Sequence, residues 1–337
     1  MKIAIIGAGA IGCVTGALLY EKGYDVVLVG REDQTAAIKS GGLVIDGVLG
    51  SERFDIPASS SLDFEPVMAV LAVKTQDVEE ACRAIKPFVR DSVVVTMQNG
   101  VKSDEIAADV LGREKIVSAV VMYGATYLEP GRVTYNFPGG LVIGKAFKSD
   151  KGGRHRPEEL VRDILTSAFH VHLSDDIHGT HWTKLILNLN NALAGTLGMS
   201  LQDVFADPAL CRLGVMLMKE AHEVMELAGI KLMPLPELPV EKLMALLAAP
   251  PEVSSGIYGN IMRGLCMEPL PGSVLQSVRR GKATEVDYLN GEIAVLGLRH
   301  RCPTPLNYKV TKLVKDVEST GRFMDKQELM AAFKGDL

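Results

Sequence analysis

The sequence predicts an α/β protein in two parts. A doubly wound, mostly parallel sheet takes residues 1–174, and an all-helical domain takes 175–337. Three observations predict it. Short apolar runs (Ile3–Ile6, Val26–Val29, Val67–Val73, Val93–Val95) alternate with helix-like stretches, the signature of strands buried on both faces of a parallel sheet. Strand signal almost ceases after Ser174, and apolar residues then recur at helical spacing. Between the first strand and the first helix stands Gly7-x-Gly9-x-x-Gly12.

That motif is specific only in context, and the context is present: strand, glycines, a helix over Cys13–Lys22, then a second strand over Asp25–Val29. The first glycine serves the tight turn and the second a close approach to a pyrophosphate. The third serves helix–strand packing, and the helix N-terminus faces the phosphates. Gly7, Ala8, Gly9, Ala10, Ile11 and Gly12 are therefore the expected cofactor loop of a Rossmann-type domain. The second strand ends in Gly30-Arg31 where an NAD site carries Asp or Glu. Gly30 is expected to leave room, and Arg31 to offer its guanidinium to a 2′-phosphate, so NADP(H) is the expected cofactor. The competing reading is a solvated Arg31 at the start of a loop.

A helix is expected over Asp33–Ser40, a small strand pair around Asp46-Gly47, and a strand over Val67–Val73 with Lys74 at its end. A helix over Val78–Ile85 leads to Ser92–Met97, which runs into Gln98-Asn99-Gly100. Ligands in such sheets lie beyond the carboxyl ends of the strands. Arg31, Lys74 and Asn99 fall there on three different strands, which raises each above a solvated strand end or a plain turn. Lys115–Tyr123, Gly124–Tyr127, Arg132–Tyr135 and Leu141–Gly144 are expected as antiparallel additions to the same sheet, with hairpin-like turns at 129–131 and 138–140. Ser149–Gly153 is expected as a surface loop, followed by a helix over Pro157–Phe169 and a strand over Val171–Leu173. In the second part helices are expected over His178–Ala194, Pro208–Ala228, Val240–Leu247, Ser273–Arg280, Glu285–Leu298 and Pro303–Glu318. Pro234–Pro239 and Ala249–Ser255 are expected as loops, and the cleft between domains as the substrate site.

Composition excludes several classes. With 47% hydrophobic and 23% charged residues and a net charge of −5, the chain has no basic excess for nucleic acid or an anionic membrane surface. The longest uncharged stretch, Leu185–Gln202, carries Asn188, Asn190 and Asn191, so no membrane span is expected. The opening strand leaves no room for a signal peptide, and the five scattered cysteines read as reduced thiols; both point to the cytoplasm. His178 and His181 lack a third ligand, so no metal site is expected.

Two stretches of the helical part are unusual. Lys184 and Asn188, at i and i+4, share one face of a very apolar helix. A cation and an amide there face water, a partner or a ligand, unless the Lys only snorkels out of a packed helix. Glu285 follows Gly281 near a helix start, where a carboxylate is also favoured by the helix dipole alone.

Taken together, Gly7-x-Gly9-x-x-Gly12, Arg31, Lys74, Gln98-Asn99-Gly100, Lys184-Leu-x-x-Asn188 and Ser273…Thr284-Glu285-Val-Asp287-Tyr-x-Asn290-Gly291 resemble the ketopantoate reductase family, in order and over nearly the whole chain. The resemblance implies an N-terminal Rossmann domain and a C-terminal helical domain related to that of 6-phosphogluconate dehydrogenase. It implies NADPH-dependent reduction of 2-dehydropantoate to (R)-pantoate on the route to coenzyme A. By position, Lys184 would be the general acid, and Glu285 would hydrogen-bond the nascent hydroxyl and orient Lys184. A carboxylate there would also keep the Lys charged. Asn188 would bind substrate hydroxyls, Ser273 the substrate carboxylate, and Asn99 would lie between nicotinamide and substrate. Arg31 and Lys74 would bind the adenosine phosphate end. The chain departs from the pattern around the substrate: Ala192 replaces a second Asn two turns after the Lys, with Asn190 and Asn191 shifted, and Ser277 and Lys282 replace a frequent Asp and Arg. The segment Pro234–Ser255 is also longer than in compact members. Two other readings stay open: a paralogue reducing another branched 2-oxo acid or forming an opine-like product, and a non-catalytic NADP(H)-sensing protein. The apolar C-terminal helices could support a homodimer.

Overall fold

The computed structural model describes residues 1–48, 50–147, 157–264 and 269–336. The expected surface loop Ser149–Gly153 and Cys266 lie outside the described residues. The chain divides into two compact units, Met1–Thr180 and His181–Leu337.

Unit 1 runs β1 (Lys2–Ile6), α1 (Ala10–Glu21), β2 (Asp25–Val29), α2 (Glu32–Gly41), β3 (Leu43–Gly47), β4 (Glu52–Phe54), β5 (Ala58–Ser59), β6 (Met68–Leu71), α3 (Val78–Ile85), β7 (Val93–Thr96), α4 (Ser103–Leu111), β8 (Ile116–Val121), β9 (Gly124–Glu129), β10 (Arg132–Phe137), β11 (Leu141–Lys145), α5 (Pro157–Leu165) and β12 (Val171–Leu173). The main sheet has the order β12-β11-β8-β7-β6-β1-β2-β5. From β5 to β8 all neighbours are parallel, and β11 joins β8 antiparallel. Counting only the six parallel strands in chain order gives 3-2-1-4-5-6, the order of a doubly wound dinucleotide-binding sheet.

The apolar runs explain the layering. Side chains alternate across a strand, so a strand covered on both faces must be apolar throughout. Ile3 and Ile5 of β1 and Val26 and Leu28 of β2 enter one core with Val14 and Ala17 of α1 and Val161 and Ile164 of α5. Ala4 and Ile6, with Val27 and Val29, enter the other core with Val78 and Cys82 of α3 and Ala107 of α4.

Three expectations for unit 1 are corrected. β9 and β10 are not additions to the main sheet. They form a separate four-stranded sheet, β4-β3-β10-β9, closed by parallel pairing of β10 with β3. That sheet covers the outer face of α1. The segment 138–140 is accordingly not a hairpin, because β10 and β11 belong to different sheets. β8 pairs parallel with β7.

α6 (Ile177–Asn188) begins in unit 1 and enters unit 2. Unit 2 continues with α7 (Asn191–Leu197), α8 (Leu201–Ala206), α9 (Pro208–Leu227), α10 (Val240–Ala248), α11 (Pro251–Arg263), α12 (Gly272–Arg279), α13 (Asn290–His300), α14 (Pro305–Thr320) and α15 (Lys326–Ala332). The twenty-residue α9 is its axis, packed by α8, α10, α11, α13 and α14. The expected single helix 178–194 is broken between α6 and α7. The expected loop after Ala249 is instead the start of α11, where Pro251 suits the first turn because its missing N–H has no partner there anyway.

Among the described residues no helix is long and apolar enough to cross a membrane. Among the same residues no group of His, Cys, Asp or Glu is placed to hold a metal.

Candidate active site

In unit 1 the glycine turn is fixed by backbone. Gly7 donates to Val29 O at 2.8 Å, and its φ of +113° belongs to glycine. A Cβ at Gly7 would stand 2.5 Å from Val73 N, and one at Gly12 would stand 2.0 Å from Gly7 O. The turn is therefore pressed against Ala72-Val73 at the end of β6. A Cβ at Gly9 would meet nothing within 4 Å. Gly9 also begins α1 without a side-chain cap, and α1 has no carboxylate in its first turn. An open face on an uncapped helix N-terminus fits an anionic pyrophosphate.

The strand ends around it are tied together. Gln98, buried after β7, donates from Nε2 to Leu71 O at 2.8 Å and to Val73 O at 3.0 Å. Thr75 Oγ1 donates to Asn99 O at 3.1 Å. The turns bearing Lys74 and Asn99, both half-buried, are thus bonded to each other. Arg31 precedes α2 and is exposed, with Nε 3.5 Å from Asp33 Oδ1. An exposed pair of that length constrains the guanidinium little. Gly30 does not leave room for a ligand as expected: a Cβ there would meet Ala8 Cβ at 2.8 Å, so its space belongs to the glycine turn.

In unit 2 the pattern of exposure singles out one stripe. Of residues 180–197, all are buried except Lys184, Leu187, Asn188 and Asn191, which are half-buried. Their spacing is that of one helix face. Loss of hydration lowers the Lys184 pKa to about 8. A paired carboxylate would act in the opposite direction. Burial is the cause of the lowered value.

The break after Asn188 separates the two displaced asparagines. Asn190 turns into the core, where Nδ2 donates to Tyr258 Oη at 2.9 Å and lies 3.2 Å from Met218 Sδ. Asn191 stays on the stripe and donates from Nδ2 to Asn188 O at 3.0 Å. Its Oδ1 lies 2.6 Å from where a Cβ of Gly272 would stand, which brings the start of α12, and so Ser273, to the end of the stripe. Ser277, also expected near the substrate, is buried and donates to Ser273 O at 3.0 Å. Glu285 is half-buried before a 3-10 turn, Val286–Tyr288, rather than in the first turn of α13. Glu318 of α14 fixes that turn by accepting from Thr284 N at 2.7 Å. The sequence leaves open whether Asn190 or Asn191 substitutes for the missing Asn at i+8; Asn191 is the one that shares the stripe with Lys184.

Comparison with known proteins finds one family along nearly the whole chain. Residues 3–147 match the family model described as Ketopantoate reductase PanE/ApbA, and residues 176–318 match its C-terminal counterpart. The chain is 30% identical to a 2-dehydropantoate 2-reductase of Pyrococcus horikoshii over 95% of this chain and 99% of that one. It is 29% identical to the Archaeoglobus fulgidus 2-dehydropantoate 2-reductase over 94% and 98%. The crystal structure of a PanE/ApbA family ketopantoate reductase from Ralstonia eutropha superposes with a TM-score of 0.77 at 27% identity, covering 95% and 99%. A D-mandelate dehydrogenase bound to NADH and anilino(oxo)acetate shares the fold, with a TM-score of 0.81 at 22% identity over 95% and 99%.

Proposed function

The chain belongs to the ketopantoate reductase family and is an oxidoreductase using a nicotinamide cofactor, and we propose that it reduces 2-dehydropantoate to (R)-pantoate with NADPH. That assigns it to the cytoplasmic route to coenzyme A. The observation that carries the reading is the half-buried Lys184–Asn188–Asn191 stripe in an otherwise buried segment.

When bound, the reduced nicotinamide supplies a hydride to the carbonyl carbon of the 2-oxo acid. The glycine turn and the N-terminus of α1 would hold the pyrophosphate, and Arg31 and Lys74 the adenosine phosphate end. Lys184 Nζ gives its proton to the carbonyl oxygen, which becomes the hydroxyl, and the neutral amine regains a proton from solvent. Before that transfer the ammonium stabilises charge that develops mainly in the transition state. An acid whose pKa is about 8 keeps its proton near neutrality yet releases it more readily than an ordinary lysine. Glu285 would hydrogen-bond the new hydroxyl and help orient Lys184. Asn188 would take the substrate hydroxyl, Ser273 the substrate carboxylate, and Asn99 a position beside the nicotinamide.

A second reading keeps the chemistry and changes the substrate. It is favoured by Ala192 at i+8 from Lys184, with Asn191 on the stripe instead. The test is NADPH oxidation with ketopantoate beside a panel of other branched 2-oxo acids, each with and without an amine. Ketopantoate at the highest kcat/KM supports the first reading. A different acid at least about tenfold better supports the second. NADPH binding without turnover on any of them contradicts both and leaves a sensing role.

A further inference from the structure

We propose that Gln34 is a positioning residue that sets the glycine turn for the cofactor's pyrophosphate from behind, using the four-stranded sheet as its anchor. The proposal rests on the dinucleotide reading of that turn.

Gln34 lies on α2, three residues after Arg31, and is 2% exposed. Its amide uses both ends. Nε2 donates to Ala8 O, inside the glycine turn, at 2.9 Å and lies 3.4 Å from Cys13 Sγ. Oε1 accepts from Tyr127 Oη at 2.9 Å and from Gly131 N at 2.8 Å, on β9 and in the β9–β10 turn. Two donors and two acceptor sites are thus all engaged, so the amide has one orientation. A second brace runs parallel to it: Tyr123 Oη donates to Ile11 O at 3.1 Å and then accepts from Thr15 Oγ1 at 2.7 Å. The carbonyls of Ala8 and Ile11 are thus held from behind, while a Cβ at Gly9 would face open space. Neither Glu nor Leu can replace Gln34. A carboxylate has no hydrogen for Ala8 O, and an apolar chain gives neither a donor to Ala8 O nor an acceptor to the buried Gly131 N.

The experiment measures the Kd of NADPH and of adenosine 2′-monophosphate for the full chain and for Gln34→Glu. The second ligand carries the 2′-phosphate but no pyrophosphate. The expected result is an NADPH Kd raised about tenfold, with the adenosine 2′-monophosphate Kd and kcat at saturating NADPH each within about twofold. An unchanged NADPH Kd, or equal weakening of both ligands, would overturn the proposal. Should Gln34→Glu not fold, Tyr127→Phe removes one of the two donors to Gln34 Oε1 and is expected to give the same split at about threefold; no split overturns the proposal. An unsubstituted protein that binds no NADPH would instead overturn the dinucleotide reading beneath it.

Discussion

The burial that suits Lys184 to the proposed proton transfer costs the fold stability. Its pKa, lowered by burial to about 8, lies below the value of an unfolded lysine, so the unfolded chain binds the extra proton between those values. The destabilisation is complete below about pH 8 and fades as pH rises toward the ordinary lysine range. Lys184→Met is therefore expected to raise Tm at neutral pH while lowering kcat by about 10²–10⁴-fold, measured by thermal unfolding beside the assay. In the unsubstituted enzyme kcat/KM is expected to fall as pH rises through about 8, because the ammonium is the acid form; a flat profile across that range would contradict the assignment. Arg31→Ala is expected to lower the NADPH-to-NADH preference in kcat/KM by about ten- to hundredfold, the value of one charge-assisted contact. Lys184 and Asn188 were legible because a cation and an amide at i, i+4 stand out in an apolar helix. Gln34 was not: Glu32-Asp33-Gln34-Thr35 reads as a solvated first turn, and only the second sheet buries it.

At the scale of elements, two adjacent asparagines at the break between α6 and α7 have different surroundings, Asn190 in the core and Asn191 on the half-buried stripe. Asn190→Ala is expected to lower stability by about 1–3 kcal/mol, since it leaves the buried Tyr258 hydroxyl without its partner, while substrate KM holds. Asn191→Ala is expected to raise the KM for the 2-oxo acid by about tenfold while Tm holds. Thermal unfolding and steady-state kinetics on the pair separate the two roles, and matching behaviour of the two variants would contradict the assignment. The fully apolar strands β1, β2, β6 and β7 were legible because burial on both faces forces continuous apolar sequence. The four-stranded sheet was not, because its closure pairs β10 with β3 across more than eighty intervening residues, and no local pattern encodes that partner. The helix break was equally hidden: the partners of Asn190 beside it, Tyr258 and Met218, lie far along the sequence.

At the scale of the whole molecule, the sequence already carried the division into a parallel sheet with a glycine turn and a set of helices that includes the one bearing Lys184. The order β5-β2-β1-β6-β7-β8 places the glycine turn, Arg31, Lys74 and Asn99 after β1, β2, β6 and β7, four adjacent strands whose carboxyl ends point the same way. NADPH is expected to slow backbone hydrogen exchange at residues 9–13 and 99–101 and to leave the middle of α9 unchanged. Slowed exchange in α9 without change at the glycine turn would contradict the site.

The claim on which the account stands is that Lys184 delivers the proton during NADPH-dependent reduction of ketopantoate. The most direct test follows the ultraviolet absorbance of NADPH with ketopantoate for the unsubstituted protein and for Lys184→Met. Turnover is expected in the first and a loss of about 10²–10⁴-fold in kcat in the second, with NADPH affinity preserved. A Lys184→Met enzyme retaining its kcat within about twofold would contradict it.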